Sequence, residues 1–176
     1  MYKKILPIKN NLGIKITYVE QASPNGLPEA FILGEKFIAN DNIALILGDN
    51  IFYGQGLIEI LKKSKKFTKG SKIFTYPVQN PKDFGVVEIK KNKISKILEK
   101  PKNTKSNLAI TGLYFFDKNV EAIAKKLKPS KRNELEIVDL LNIYRKKNKL
   151  TADLIGRGGA WLDTGSIEDF IKHQHL

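Results

Sequence analysis

The chain has 176 residues, 41% of them hydrophobic, a size and composition that give one globular domain with its own core and exclude a disordered tail. It has no cysteine, which removes disulfides, thiolate nucleophiles and cysteine-based zinc sites and suits a cytoplasmic protein. No apolar run is long enough for a transmembrane helix, the apolar part of the opening residues is too short for a signal peptide, and 31 basic against 18 acidic residues leave a net charge of +13.

Strand and helix patterns alternate along the chain. Residues 14–19 alternate apolar and polar side chains, as a half-buried strand does. Ser23-Pro24-Asn25-Gly26 is a turn cluster, and residues 27–39 follow with helical spacing at Leu27, Ala30, Phe31, Phe37 and Ile38, Pro28 suiting the first turn. Ile43-Ala44-Leu45-Ile46-Leu47 is a continuous apolar run that reads as a strand buried on both faces, ending at Gly48-Asp49-Asn50. Residues 57–61 begin a short helix that dissolves into lysines, and residues 72–78 form a strand. Residues 85–89 and 93–98 flank Lys90-Lys91-Asn92 as a hairpin.

Residues 109–116 are another apolar strand, after which Asp117 can cap a helix burying Val120, Ile123, Ala124 and Leu127 and stopped by Pro129. A second helix over residues 134–147 is expected to bury Leu135, Val138, Leu141 and Tyr144. Residues 151–155 make a last strand, followed by Gly156-Arg157-Gly158-Gly159 and a closing helix from Ile167. There is no repeat, linker or low-complexity tract. The expected architecture is an α/β domain whose sheet is mixed, because the hairpin needs antiparallel neighbours.

The charge permits nucleic-acid binding through a basic patch, or a lysine-rich surface with no single partner. The basic clusters, such as Lys62-Lys63-Ser64-Lys65-Lys66 and Arg145-Lys146-Lys147-Asn148-Lys149, fall at helix ends and turns and carry no interleaved aromatics. The reading adopted is therefore no specific nucleic acid and no membrane, with a general attraction for phosphorylated small molecules.

Asp49 stands at the carboxyl end of the buried run, where open α/β sheets place ligands; an Asp-Asn turn is the plain alternative. Asp163, in Trp161-Leu162-Asp163-Thr164-Gly165, either caps the closing helix or joins Asp49 on a divalent cation. Oxygen donors without cysteine suit Mg²⁺. In Glu99-Lys100-Pro101 the proline is expected to hold Lys100 extended; the Glu can accept from sugar hydroxyls and the Lys can hold a phosphate. Gly85 would let a ligand touch backbone, or only mark a bulge. Arg132 is a surface residue or an anion contact. His173 and His175 read as a terminus, not a metal site. No Ser-His-Asp set, Walker loop or dinucleotide fingerprint is present.

Taken in order, Glu20-Gln21-Ala22-Ser23-Pro24-Asn25-Gly26-Leu27, Leu47-Gly48-Asp49-Asn50-Ile51-Phe52-Tyr53-Gly54, Phe84-Gly85-Val86-Val87-Glu88, Leu98-Glu99-Lys100-Pro101, Thr111-Gly112-Leu113-Tyr114-Phe115, Glu134-Leu135-Glu136-Ile137 and Trp161-Leu162-Asp163-Thr164-Gly165 resemble the glucose-1-phosphate thymidylyltransferases. The resemblance implies a Rossmann-like nucleotidyltransferase core with a mixed, mostly parallel sheet over residues 1–176. It also implies conversion of dTTP and glucose 1-phosphate to dTDP-glucose and pyrophosphate. On the same basis Asp49 and Asp163 would hold Mg²⁺, Lys100 and Arg132 would neutralise phosphate, and Glu99, Gly85 and the Ile110 backbone would orient glucose. Gln21 and Gly26 would contact thymine, Asn50 would touch the sugar side, and the full-length family would be a homo-oligomer.

The family's glycine-rich opening segment has no counterpart in the sequence, and the family continues into further helices. The expectation is a domain incomplete at both ends, with an apolar sheet edge beside residues 43–47, weak dTTP binding and little turnover.

Overall fold

The computed structural model describes residues 2–67 and 69–165. Strands β1 (Ile43–Ile46), β2 (Asn50–Gly54), β3 (Ser71–Pro77), β4 (Gly85–Lys90), β5 (Lys93–Glu99), β6 (Leu108–Phe116), β7 (Leu150–Leu154) and β8 (Gly159–Asp163) are interspersed with helices α1 (Tyr2–Ile5), α2 (Glu29–Leu33), α3 (Glu35–Ile38), α4 (Leu57–Lys65), α5 (Val120–Ala124) and α6 (Ile137–Lys146). Among these residues no helix is long and apolar enough to cross a membrane.

The main sheet runs β5-β4-β6-β3-β7, with β1 also on β6. β6 is its axis, and its sequence Leu-Ala-Ile-Thr-Gly-Leu-Tyr-Phe-Phe is buried along most of its length. One edge pairs antiparallel with β3. The other edge is shared: β1 covers it from Leu113 to Phe116, and β4 meets it at Ala109. Between those contacts β1 and β4 part, leaving Ile110 to Gly112 at the bottom of a fork. The sheet is mixed, as expected, but its parallel share is smaller than expected: among the described residues only β3–β7 is parallel. The hairpin β4–β5 turns on Lys91 and Asn92 at φ 47° and 59°, the two left-handed residues of a tight hairpin loop.

Each face of the sheet carries a core. On one, Phe31 of α2, Val120 of α5 and Leu141 and Tyr144 of α6 pack on Ile73, Val87 and Phe116. The rings of Phe31 and Phe116 meet edge-on at 5.1 Å. Full burial of such side chains contributes about 1.5–3 kcal/mol each, so this layer fixes where α6 and the loop before it lie. On the other face Phe74, Ala109 and Leu113 pack with Ile155 and Trp161. There the two-stranded ribbon β2–β8 brings Trp161 onto the sheet.

Several expectations change. Residues 14–19 belong to no strand, since no strand among the described residues pairs with them. The helix over residues 27–39 breaks at Gly34 into α2 and α3. α4 does not dissolve into lysines but runs through Lys65, its cations in the last turn, where the helix dipole favours them. The apolar run 43–47 is an edge strand: Ile43 and Leu45 face the core, whereas Ile46 is 59% exposed. β2 and β8 are strands that their turn-like and glycine-rich sequences do not announce. α6 starts three residues later than expected, because Glu136 still has extended backbone. The closing helix from Ile167 and the two histidines lie outside the described residues.

Candidate active site

The fork in the sheet becomes a pocket of about 210 Å³. Ile110, Gly112 and Tyr114 of β6 form its floor, Asn50 and Asp163 stand on one side, and Gly85, Glu99 and Lys100 on the other. Leu27 and Val138 close it from the core side, and Trp161 from the ribbon. Of the residues singled out in the sequence, the pocket thus gathers Asn50, Gly85, Glu99, Lys100, Ile110 and Asp163.

Asp49 adjoins it. The Thr164 N–H and its hydroxyl both donate to the Asp49 carbonyl at 2.8 Å, and Asn50 pairs with Asp163 across the ribbon. This register turns both carboxylates toward Gly165, each with an oxygen 3.0 Å from where a Cβ on that glycine would sit. The bare glycine therefore leaves a cradle with two carboxylates on it, a donor set that fits a hard divalent cation keeping further ligands from water or phosphate. Among the described residues no cluster of three or more metal-ligating side chains occurs.

Three hydrogen bonds hold the Asn50 side chain. Its amide Nδ2 donates to Asp49 Oδ1 at 2.8 Å, and its Oδ1 accepts from the Gly112 N–H at 2.8 Å and from the Trp161 indole N–H. It therefore fixes the Asp49 carboxylate to the floor of the fork. Gly112 permits this, since a Cβ there would lie 2.5 Å from Asn50 Cγ. Gly112→Ala is expected to displace Asn50 and to cost about 1–3 kcal/mol, the usual range for overpacking, read as a lower urea midpoint at unchanged slope.

The opposite wall is charged. Gly85 pairs with Glu99 in the hairpin, and a Cβ on Gly85 would come within 3.3 Å of Val138 and 3.6 Å of Glu99 Oε2. Burial, followed by the charge of Glu136, pushes the Glu99 carboxyl above its ordinary range, against Arg132 and Lys100. Lys100 is not extended as its position before proline suggests: its φ is 39°, a left-handed conformation strained for a residue with a side chain. Its N–H is held by the Phe84 carbonyl at 3.1 Å, so the ladder overrides the local preference. Arg132 stands beside the pocket with Nη2 3.6 Å from Glu99.

Gln21 and Gly26 lie together but apart from these residues. The Gln21 amide donates to the Gly26 carbonyl and to Glu29. Gly26, at φ 101°, is pressed on the Leu135 backbone, and Leu135 N–H donates to Asn25 at 2.7 Å. That clasp brings the adjacent Leu27 into the pocket. Two residues escaped the sequence reading although both lie in the motifs. Trp161 is 4% exposed and meets Phe84 edge-on at 5.3 Å. Tyr114 is buried, and burial, with the charges of Glu99, Asp163 and Asp49, keeps its hydroxyl protonated far above the ordinary value.

Known proteins are similar to this chain in sequence and in fold. A nucleotidyl transferase family model matches residues 1–176. The glucose-1-phosphate thymidylyltransferase of Neisseria meningitidis (serogroup A / serotype 4A) is 50% identical over 168 residues, 95% of this chain and 58% of its own length. That of Mycolicibacterium smegmatis is 42% identical over 171 residues, 97% of this chain and 59% of its own. The chain thus spans a little over half the length of these curated relatives. Among solved structures, one from Bacillus anthracis described as a glucose-1-phosphate thymidylyltransferase with sucrose superposes at TM-score 0.80 and 38% identity, over 93% of this chain and 65% of that one. A UDP-glucose pyrophosphorylase with UDP-glucose superposes at 0.76 and 27% identity, over 90% and 64%.

Proposed function

This chain belongs to the nucleotidyl transferase family, and from that premise we propose that it acts in the reaction of dTTP with glucose 1-phosphate to give dTDP-glucose and pyrophosphate. The observation that carries the reading is the pocket lined by Gly85, Glu99, Lys100, Ile110 and Asp163, with Asp49 beside it.

The sugar phosphate is an anion at neutral pH and needs no general base. One of its oxygens bonds to the α-phosphorus of the nucleotide. The bond from that phosphorus to the bridging oxygen breaks in line, and pyrophosphate leaves with the electron pair. Catalysis is then positioning and charge neutralisation. Glu99 accepts hydrogen bonds from glucose hydroxyls, the bare Gly85 and the Ile110 backbone let the ring approach, and Lys100 with Arg132 meets the phosphate. Asn50 keeps Asp49 turned toward Asp163. Asp49 and Asp163 would hold Mg²⁺, which when bound supplies neutralisation of phosphate charge. Gln21 and Gly26 are the proposed thymine contacts. The Gln21 amide is committed to Gly26 and Glu29, so dTTP is expected to bind more weakly than glucose 1-phosphate.

The test is incubation of the whole chain with glucose 1-phosphate, Mg²⁺ and either dTTP or UTP, followed by chromatography for the nucleotide sugar. The expected product is dTDP-glucose, formed slowly, with less from UTP. The likeness to a UDP-glucose pyrophosphorylase supports a second reading, the same chemistry with a uridine nucleotide, and faster product from UTP would select it. No product and no calorimetric binding of glucose 1-phosphate would remove both.

A further inference from the structure

Glu136 immediately precedes α6 yet makes no side-chain cap to it, and it has no part in the chemistry above. It is nonetheless only 9% exposed. A carboxylate withdrawn that far from water must be held by partners. Ser130 Oγ donates to its Oε1 at 2.7 Å. Arg132 donates to it from Nε at 3.1 Å and from Nη2 at 2.9 and 2.7 Å. Burial pushes the Glu136 carboxyl up, but these hydrogen bonds, with the charges of Arg132 and Lys100, outweigh it and leave it below the ordinary range.

A guanidinium presents its donors in a rigid planar fork. Glu136 takes the Nε–Nη2 edge. The remaining Nη1–Nη2 edge has its Nη2 end 3.6 Å from Glu99, in the pocket wall, and 4.0 Å from Glu134, both beyond hydrogen-bond distance. The Arg132 side chain is 46% exposed, and without its clamp it would sample many rotamers, with an entropy cost on every binding event. We infer that Glu136 is a positioning residue, which holds Arg132 with its free edge toward the pocket mouth so that the phosphate of a sugar phosphate meets a fixed two-donor fork. The inference rests on the sugar-phosphate reading of the pocket and assigns to this pair the Arg132 share of its anion selectivity, Lys100 supplying the rest.

Two effects of opposite sign compete. Glu136 orients Arg132, and it also adds negative charge near the anion. Orientation is expected to dominate, because the guanidinium binds the carboxylate at contact distance, although the Glu136 charge still reaches Glu99 in the pocket wall. The sign of the change on removing the charge therefore decides the matter.

Calorimetric titration of the whole chain with glucose 1-phosphate, alongside saturation-transfer NMR with glucose as the neutral control, makes the test. Glu136→Gln keeps the shape and is expected to weaken glucose 1-phosphate about tenfold, roughly 1.4 kcal/mol, with glucose unchanged. In an Arg132→Met background the same substitution should have no further effect, as it must if Glu136 acts through Arg132. Should Glu136→Gln not fold, Glu136→Asp carries the test: it keeps the charge, withdraws the carboxylate by one methylene, and should weaken glucose 1-phosphate about threefold, again sparing glucose. Equal or tighter glucose 1-phosphate binding in these variants overturns the inference. So does an equal loss for both sugars, the mark of a merely structural role. A wild-type chain that binds neither sugar fails the pocket reading itself, and the inference with it.

Discussion

Asp49→Asn should lower nucleotide-sugar formation about a thousandfold, roughly 4 kcal/mol of transition-state stabilisation, and weaken Mg²⁺ binding at least about tenfold. The substitution is nearly isosteric, and the amide oxygen can still accept from Asn50 Nδ2, which lies 2.8 Å from Asp49 Oδ1. The backbone carbonyl that receives Thr164 is unchanged. Folding is thus expected to stay within about 0.5 kcal/mol, as for substitutions outside the core. The loss would be electrostatic: one of the two carboxylates at the Gly165 cradle no longer offsets a dication. Calorimetric Mg²⁺ titration beside thermal unfolding separates this from damage to the fold. Undiminished Mg²⁺ affinity would move the cation elsewhere.

A second large effect concerns stability. Asp117, 4% exposed, accepts from the Gly70 N–H at 2.7 Å, the Asn119 N–H at 3.1 Å and the Tyr144 hydroxyl at 2.9 Å. Asp117→Ala leaves the buried Tyr144 hydroxyl and Gly70 N–H without an acceptor, and about 1–3 kcal/mol per orphaned group makes a loss of about 3 kcal/mol a fair expectation. The same site sets an acid sensitivity. Burial pushes the Asp117 carboxyl up, but its hydrogen bonds prevail and hold it below the ordinary value. A carboxyl depressed in the folded state contributes fully above its ordinary, unfolded value, and the contribution is lost as pH falls from there through the folded value. Urea midpoints from neutral to acidic pH should fall more steeply for the wild type than for Asp117→Ala. Parallel curves would contradict this.

How far the sequence announced these features depends on range. The hairpin was readable because Lys91-Asn92 is a local turn signal, and β6 because its apolar run is long. β2 and β8 were not, since Asn50 and Asp163 pair across most of the chain and each segment alone resembles a turn or a glycine-rich loop. The run 43–47 shows apolarity but not what covers it, so an edge strand passed for a doubly buried one. Lys100 followed a rule about neighbours of proline, and a hydrogen bond to Phe84 overruled it. The candidate residues were found through ordered motifs, and the pocket unites most of them. What the motifs could not convey is the wiring. Asn50 is occupied in holding Asp49, and Glu136, an inconspicuous residue in Glu134-Leu135-Glu136-Ile137, holds Arg132.

Trp161 is the only tryptophan in the chain. It lines the pocket, donates its indole N–H to Asn50 and stands edge-on to Phe84 and Tyr76. The protein thereby carries a native optical probe at the seam between its carboxylate pair and the wall of Gly85, Glu99 and Lys100. Intrinsic fluorescence, selected at the red edge of excitation to exclude the tyrosines, reports on that seam alone. Occupancy of either half can be followed in unlabelled protein as a change in emission colour or intensity.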